Sequence, residues 1–583
     1  MLSPAAPHNG NSFLILDLGI SLIGVALGYA LPNLTPRFFR RIERAFIPLA
    51  RKKVLAVTVA GVLVVLLRLA ILPLFPIPRP FVPDDFSFLL AANTFASGHL
   101  ANPTPAMWRS FETIHVTMKP TYMSMYFPGQ GLLLAVGKAL LGIPWFAVLV
   151  ASALMCASLC WALQAWLPAN WALFGGLLAV VRLGLFTCWT NTYQGGAALA
   201  AIGGALVIGS APRLMKTARF RYGMLMAIGI AILILTRPFE GMLLCLPVAV
   251  VLGRWIIKGE NRPPLPVLLR RACLPVAVFV AAGMWMGYYD LKAFGSPFTL
   301  PYTVDRNTYA VAPYYIWQHA RPTPTYSNSV MRRFYTHDEY EFYATMRTPA
   351  GFVTHTLLKV YLTFLFYAGF ALLLPLVMIR RVFLDKRLRF LVLCCLVLLA
   401  GMSIEIYLLP HYVAPFTVVF YAIGLQCLRH LRVLKSNRQR VGLTLVRCTV
   451  LVIFVMAGLR LFARPLGFGV PIEPTSGWNS TWFGPEHYGD QRPQVESQLN
   501  GLPGPQLAIV RYGPTHDNLN EWVYNAPDID NSKVVWAREL DPADNKELID
   551  YYRNRTVWLV EPDADPVVVS PYPVQVSGLA GAR

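Results

Sequence analysis

Pro83-Asp84-Asp85-Phe86-Ser87-Phe88-Leu89-Leu90-Ala91-Ala92-Asn93-Thr94-Phe95-Ala96-Ser97-Gly98 reads as one short helix with a start and a stop. Proline suits the first helical turn, where its missing N–H costs nothing, and glycine ends the run. The aspartates put negative charge at the N-terminal end, where free backbone N–H groups and the helix dipole favour it. The remainder is mostly apolar or small, which predicts an amphipathic helix at a membrane surface. One carboxylate suffices as a cap, and the second is left beside the hydrocarbon boundary. Two readings therefore stand: the aspartates only cap, or one of them is a functional carboxylate.

The surroundings call for a membrane. The chain has 583 residues, 55% hydrophobic and only 14% charged, with a mean hydropathy of +0.48. Soluble globular chains run near a quarter charged. Apolar stretches long enough to span a bilayer recur at 12–31, 54–75, 144–167, 169–189, 194–211, 222–238, 239–257, 272–291, 354–379, 390–409, 412–428 and 442–462. About twelve transmembrane helices are expected. The net charge of +21 is unevenly placed: residues 1–464 carry 43 basic and 14 acidic residues, and residues 465–583 carry 8 and 16. The basic excess sits in short clusters between apolar runs, such as Arg37 to Lys53 and Arg380 to Arg389, which is the positive-inside pattern. That pattern argues against a nucleic-acid partner and for the lipid bilayer. With every cluster inside, the N-terminus, the segment 76–143, the loop 292–353, the turns near 190, 237 and 410, and everything after 463 fall outside. The nine cysteines lie in or beside apolar runs, without a disulfide framework or a CxxC metal pair.

Two units follow: a membrane domain over 1–463, all-α and polytopic, and an outer α/β domain over 464–583. In the latter, Gln506–Tyr512, Lys533–Ala537 and Thr556–Val560 read as strands. Asp541 and Pro542 open a helix, with Asp544 placed to close back on the cap. This domain carries no nucleophile elbow, phosphate loop or metal motif, and is expected to pack on the membrane domain or bind a partner.

Polar residues gather at the outer ends of the predicted helices. In the first outer segment, His99, Arg109, Glu112, His115, Lys119, Tyr122, Tyr126 and Gln130 each read singly as solvated loop residues. Neither histidine has a ligand-spaced partner. Phe127-Pro128-Gly129-Gln130-Gly131 opens a second interfacial helix. Thr236-Arg237-Pro238-Phe239-Glu240-Gly241 places two charges in otherwise apolar sequence, where charges are usually paired or functional. An Arg237–Glu240 brace across a kinked turn is the alternative to a binding role. Pro410-His411-Tyr412 and Trp189-Thr190-Asn191-Thr192-Tyr193-Gln194 form further polar turns on the same face. The grouping suits a substrate with a polar head at the interface and a tail in lipid.

With Asp84-Asp85 opening the first outer loop, Ser97-Gly98-His99-Leu100 closing its helix, Tyr126–Gly131 before an apolar run, and the late Pro410-His411-Tyr412, residues 50–460 resemble the GT-C superfamily of polytopic glycosyltransferases. The resemblance is to the group of protein O-mannosyltransferases, lipid A aminoarabinose transferases and Rgt-like enzymes. Departures are Asp85, where relatives often have glutamate, the glycine-rich Phe127–Gly131, where many have a lysine- or histidine-proline pair, and the extra helix 12–31. The resemblance implies a polyprenyl-phosphate sugar donor and a hydroxyl acceptor (lipid, glycan or protein) on the extracytoplasmic side of a bacterial inner membrane. It implies Asp84 as catalytic base, with Asp85 as backup or as the residue that orients the acceptor or a metal. A phosphate that leaves needs a cation, for which Arg237 is the candidate, with Glu240, Lys119, His411, Tyr412, Tyr126 and Gln130 as lesser substrate-binding candidates. No motif calls for a cofactor, and a divalent metal stays an open alternative. A lipid-linked sugar transporter and a noncatalytic scaffold are the rival readings; a transporter would tend to show internal repeats, and none is visible.

Overall fold

The computed structural model of the protein describes residues 9–31, 36–259, 262–435, 439–462 and 490–573. The expected boundary at 463–464 lies outside them. Every apolar run in the sequence carries a helix, but the runs are not all regular spans. Among the described residues, seven helices are long and apolar enough to cross a membrane: Lys53–Ala70, Trp145–Leu163, Ala197–Thr217, Pro238–Lys258, Leu265–Phe294, Pro349–Tyr367 and Val441–Leu461. An eighth arises if Phe370–Leu384 and Arg389–Ile404, bent by 112°, count as one. The count of about twelve is not confirmed: Leu14–Ala30, Ala169–Gly184 and Phe220–Thr236 are apolar but shorter, and several runs break. The run 169–189 leaves regular helix after Ala179 for a π-turn at Val180–Gly184. There Arg182 Nη2 donates to the carbonyl of Phe366 at 3.3 Å. The run 354–379 ends its helix at Tyr367 and continues past Gly369 (φ +63°) as 3₁₀ turns.

Small residues set the closest helix contacts, as expected where lipid offers no hydrophobic drive between helices. A Cβ on Gly203 would lie 2.9 Å from the carbonyl of Gly229, and one on Gly229 2.7 Å from that of Gly203. Helices Ala197–Thr217 and Phe220–Thr236 therefore touch backbone to backbone.

Above this bundle lies a polar layer. Helix Pro83–Ala96 ends with Gly98 at φ +83°, and Pro128–Leu141 with Gly142 at φ +72°, both in the left-handed region that glycine favours. Between them Asn102–Pro103, Val116–Thr117 and Thr121–Ser124 form a small antiparallel sheet, a feature with too few residues per strand to show in the sequence. The loop 292–353 contributes Pro301–Tyr309 and Glu339–Met346.

The C-terminal unit is a four-stranded sheet. Val534–Arg538, Gln506–Val510 and Thr556–Glu561 run parallel in that order, and Val568–Pro571 pairs antiparallel at the edge. Asp541 caps helix Pro542–Tyr551 through the N–H groups of Ala543 (3.0 Å) and Asp544 (2.9 Å). Asp544 does not close back on the cap; it pairs with Arg109 of the first loop at 3.0 Å. One face of this sheet buries Leu507, Ile509, Val535 and Ala537 in the same cluster as Leu90, Phe111, Val116, Met118 and Tyr122. Helix Pro83–Ala96 is thus not an open surface helix. It is roofed by the C-terminal sheet, with Phe86 and Tyr524 rings 4.5 Å apart.

Candidate active site

The two aspartates take different environments within one turn. Helix Pro83–Ala96 begins after Val82, whose side chain supplies no cap; Asp85, in the first turn, reaches back to the backbone before the helix, and Asp84 does not. Asp85 is 2% exposed. Its Oδ1 accepts the N–H of Tyr193 at 2.9 Å, and its Oδ2 that of Phe81 at 3.3 Å. Burial pushes the Asp85 carboxyl up to about 7, against the pull of these N–H donors. Gln130, at the start of helix Pro128–Leu141, donates to the carbonyl of the same Tyr193 at 2.9 Å. Asp85 and Gln130 therefore grip both sides of one residue and tie two helix starts to the polar turn 189–194. That turn is anchored from below: Arg68 Nη2 donates to Asn191 Oδ1 at 3.0 Å, and the Trp145 indole to the Thr190 carbonyl at 2.8 Å.

Asp84 faces the other way. Its side chain and that of His115 are each 14% exposed, with His115 Nδ1 3.1 Å from Asp84 Oδ1. The Tyr126 hydroxyl donates to the same oxygen and lies 3.1 Å from His115 Nδ1. Tyr126 is held by Phe88, stacked at 4.3 Å. Its ring then lines a small cavity together with Gln130, Gly195, Gly196, Tyr302 and Arg237.

Arg237 lies between helices Phe220–Thr236 and Pro238–Lys258. Its guanidinium carbon sits 4.0 Å from the centre of the Tyr412 ring. The Glu240 pair is long, at 4.0 Å. Among the described residues the guanidinium donates no hydrogen bond, so its forked N–H groups are available at the cavity. The brace reading thus has only a weak contact behind it. His411 packs on the turn opposite: a Cβ on Gly195 (φ +81°) would lie 3.1 Å from His411 Cδ2. Gly129 is required for the same closeness, since a Cβ there would meet the carbonyl of Leu235 at 2.6 Å. The glycine-rich stretch thereby lets the second outer helix reach the end of the helix that presents Arg237.

Tyr126, Gln130 and Arg237 line one cavity; Asp84 joins it through the Tyr126 hydroxyl and Tyr412 through the face of Arg237, with Asp85, Glu240 and His411 beside them. Lys119 does not join them. It is exposed, with its ammonium 3.8 Å over the Trp108 ring. His115, read as a solvated loop residue, instead meets the Asp84 carboxylate. Tyr302 and the pair Asp305-Arg306 also enter from the loop 292–353. Asp305 is fully buried, and Arg306 pairs with Glu339 at 2.8 Å. No spacing or motif in the loop 292–353 singles these residues out. Both Asp85 oxygens are spent on backbone N–H groups, and among the described residues no three His, Cys, Asp or Glu side chains are arranged to hold a metal. The residues do not fit a metal centre.

No family model and no curated protein matches the chain. Solved structures do. ArnT from Cupriavidus metallidurans in the apo state is 16% identical, over 86% of this chain and 92% of its own, with a TM-score of 0.45. The same enzyme bound to undecaprenyl phosphate is 14% identical over the same shares, with a TM-score of 0.47. The Archaeoglobus fulgidus oligosaccharyltransferase in complex with zinc and sulfate is 11% identical, over 85% of this chain and 67% of its own, with a TM-score of 0.48. These similarities give no residue a role. Among the solved structures similar to this chain are two GT-C glycosyltransferases, the superfamily that its acidic pair and outer-loop helices resemble.

Proposed function

We propose that the chain is a membrane glycosyltransferase that moves a sugar from a polyprenyl-phosphate donor to a hydroxyl acceptor on the extracytoplasmic side. The observation that carries this reading is that a carboxylate and a guanidinium that donates no hydrogen bond among the described residues are brought to one cavity through Tyr126. Tyr126 holds Asp84 and lines the cavity that Arg237 also lines. As the acceptor oxygen attacks the anomeric carbon, its proton passes to Asp84 and the bond from that carbon to the phosphate oxygen breaks. Arg237 meets the charge that develops on the leaving phosphate through its planar fork. Asp85 holds the frame and is no second base.

An apolar groove lined by Val360, Phe364, Leu398, Leu399, Phe420 and Leu428 suits an isoprenoid tail. Tyr367, on the same groove, donates to the carbonyl of Pro410 at 3.1 Å, next to His411. In this reading residues 1–463 form the membrane unit, and 464–583 form a unit on the active face that fixes the outer loops.

Transfer of labelled sugar from an undecaprenyl-phosphate hexose by purified protein tests the reaction; movement of intact donor across vesicles without transfer would mark a transporter. Arg237→Lys is expected to weaken donor binding roughly tenfold or more, because a point charge replaces a fork. Unchanged donor affinity in Arg237→Ala would remove Arg237 from the phosphate site. Single cysteines at positions 225, 320 and 500 test the side. Membrane-impermeant reagent should reach 320 and 500 from outside and 225 only from the cytoplasm. Labelling of 500 from the cytoplasm would reverse the orientation.

A further inference from the structure

His115 is held in an uncommon way. Its φ is +65°, in the left-handed region that non-glycine residues seldom occupy. Its carbonyl is pinned twice, by the Ser87 hydroxyl at 2.7 Å and the Met125 N–H at 3.2 Å. Ser87 belongs to the helix that Asp84 opens and also meets the Ser124 hydroxyl at 2.7 Å. The backbone is thus fixed so that the imidazole meets Asp84 and Tyr126, with the Phe334 ring edge-on at 5.6 Å.

The charged groups around His115 come from three elements. Asp84 is on helix Pro83–Ala96, and Asp305 and Arg306 are on Pro301–Tyr309. Glu339 is largely neutralised by Arg306, which holds it at 2.8 Å. Asp305 is fully buried, and one of its oxygens has no hydrogen-bond partner among the described residues. Burial disfavours the imidazolium, but Asp84, then Asp305 and Glu339, outweigh it and raise the His115 value above that of an ordinary histidine. Burial pushes the Asp305 carboxyl up to about 6 against the pull of His115 and Arg306.

We propose that His115 is a positioning residue for Asp84: its imidazolium, held against Asp84 and in the field of Asp305 from the loop 292–353, keeps the Asp84 carboxylate aimed, and turnover falls as pH rises and that proton is lost. This rests on the reading of Asp84 as the base. It gives the loop 292–353 a part in the reaction, through Asp305, without contact with substrate.

The test has two arms on the full chain in detergent. In the first, diethyl pyrocarbonate, which modifies neutral imidazole, is followed by peptide mass spectrometry across pH, with exposed His99 as internal reference. Asp305→Asn is expected to speed modification of His115 near neutral pH by up to about tenfold, one unit of pKa being a factor of ten in the neutral fraction. His99 should be unchanged. Equal His115 rates in wild type and Asp305→Asn would overturn the proposal. In the second arm, sugar transfer from undecaprenyl-phosphate hexose is measured against pH. His115→Gln should lower kcat at unchanged donor KM and abolish the alkaline fall, and Asp305→Asn should move that fall to lower pH. An alkaline fall that persists unaltered in His115→Gln, with Asp84→Asn inactive, overturns the role of His115 and leaves the base reading intact. Near-normal transfer by Asp84→Asn overturns the base reading, and the positioning role with it.

Discussion

Asp84→Asn is expected to lower sugar transfer by roughly two to four orders of magnitude, the usual cost of a lost general base, while the protein still folds. Folding should survive because the carboxylate caps nothing: the helix starts without a side-chain cap, and the Asp84 contacts are Tyr126 and His115. An asparagine can still accept from the Tyr126 hydroxyl. Asp85→Asn separates the two roles. Its oxygens receive the N–H groups of Tyr193 and Phe81. An amide can accept only one of these in the same pose and brings N–H donors that meet another donor. Asp85→Asn should therefore reduce thermal stability more than Asp84→Asn and reduce transfer less. The measurements are turnover of an undecaprenyl-phosphate hexose and the melting temperature of each variant. Loss of transfer in Asp85→Asn with near-normal Asp84→Asn would exchange the assignments. Retention in both would place the chemistry outside this loop.

What was legible in the sequence was local. Proline before paired acids gave the start of the helix at Pro83, and Gly98 its end. Hydropathy gave a helix at each apolar run but not its regularity. The breaks at Val180 and after Tyr367 arise where a buried Arg182 faces a left-handed Gly369: a Cβ there would lie 2.9 Å from the guanidinium nitrogen. Arg237 stood out because charge in apolar sequence is costly. His115 did not, since one polar loop residue carries no periodicity. Its place depends on a backbone angle set by Ser87, 28 residues earlier, and the Phe334 ring packs on it from a loop much later in the chain. Lys119 looked equivalent to its neighbours in sequence, yet it lies over Trp108. Nor does an alternating strand pattern say what will cover its face. The Leu507 and Val535 side of the sheet meets Leu90 and Phe111 rather than completing a self-contained domain.

That shared core makes Glu521 and Arg538 the most consequential pair outside the active site. Their side chains are 2% and 3% exposed and meet at 2.9 Å. Glu521 also accepts from Thr113 of the first loop at 2.5 Å and from the Tyr512 hydroxyl at 2.7 Å. Arg538 reaches the Glu112 carbonyl at 3.3 Å. Breaking one side of a buried pair leaves the other charge without compensation, and Glu521→Gln is expected to cost about 3–5 kcal/mol. Replacing both residues by apolar ones of similar volume should recover much of this. The reporters are Trp522 and Trp536, both 1% exposed, whose fluorescence follows opening of the C-terminal unit in denaturant. The pH dependence has a definite sign. Burial opposes the Glu521 carboxylate, but Arg538 and the hydrogen bonds win and hold it below the ordinary glutamate range. Its contribution is therefore complete above the unfolded value of about 4.3, and is lost as pH falls through the lower folded value. Because Thr113 is two residues from His115, Glu521→Gln should loosen the histidine beside Asp84 and lower turnover as the sheet opens. The double apolar variant should recover stability ahead of turnover, since it restores the packing but not the anchor on Thr113. A Glu521→Gln protein that opens at the wild-type denaturant midpoint would show that the C-terminal unit is held to the loops by its apolar face alone.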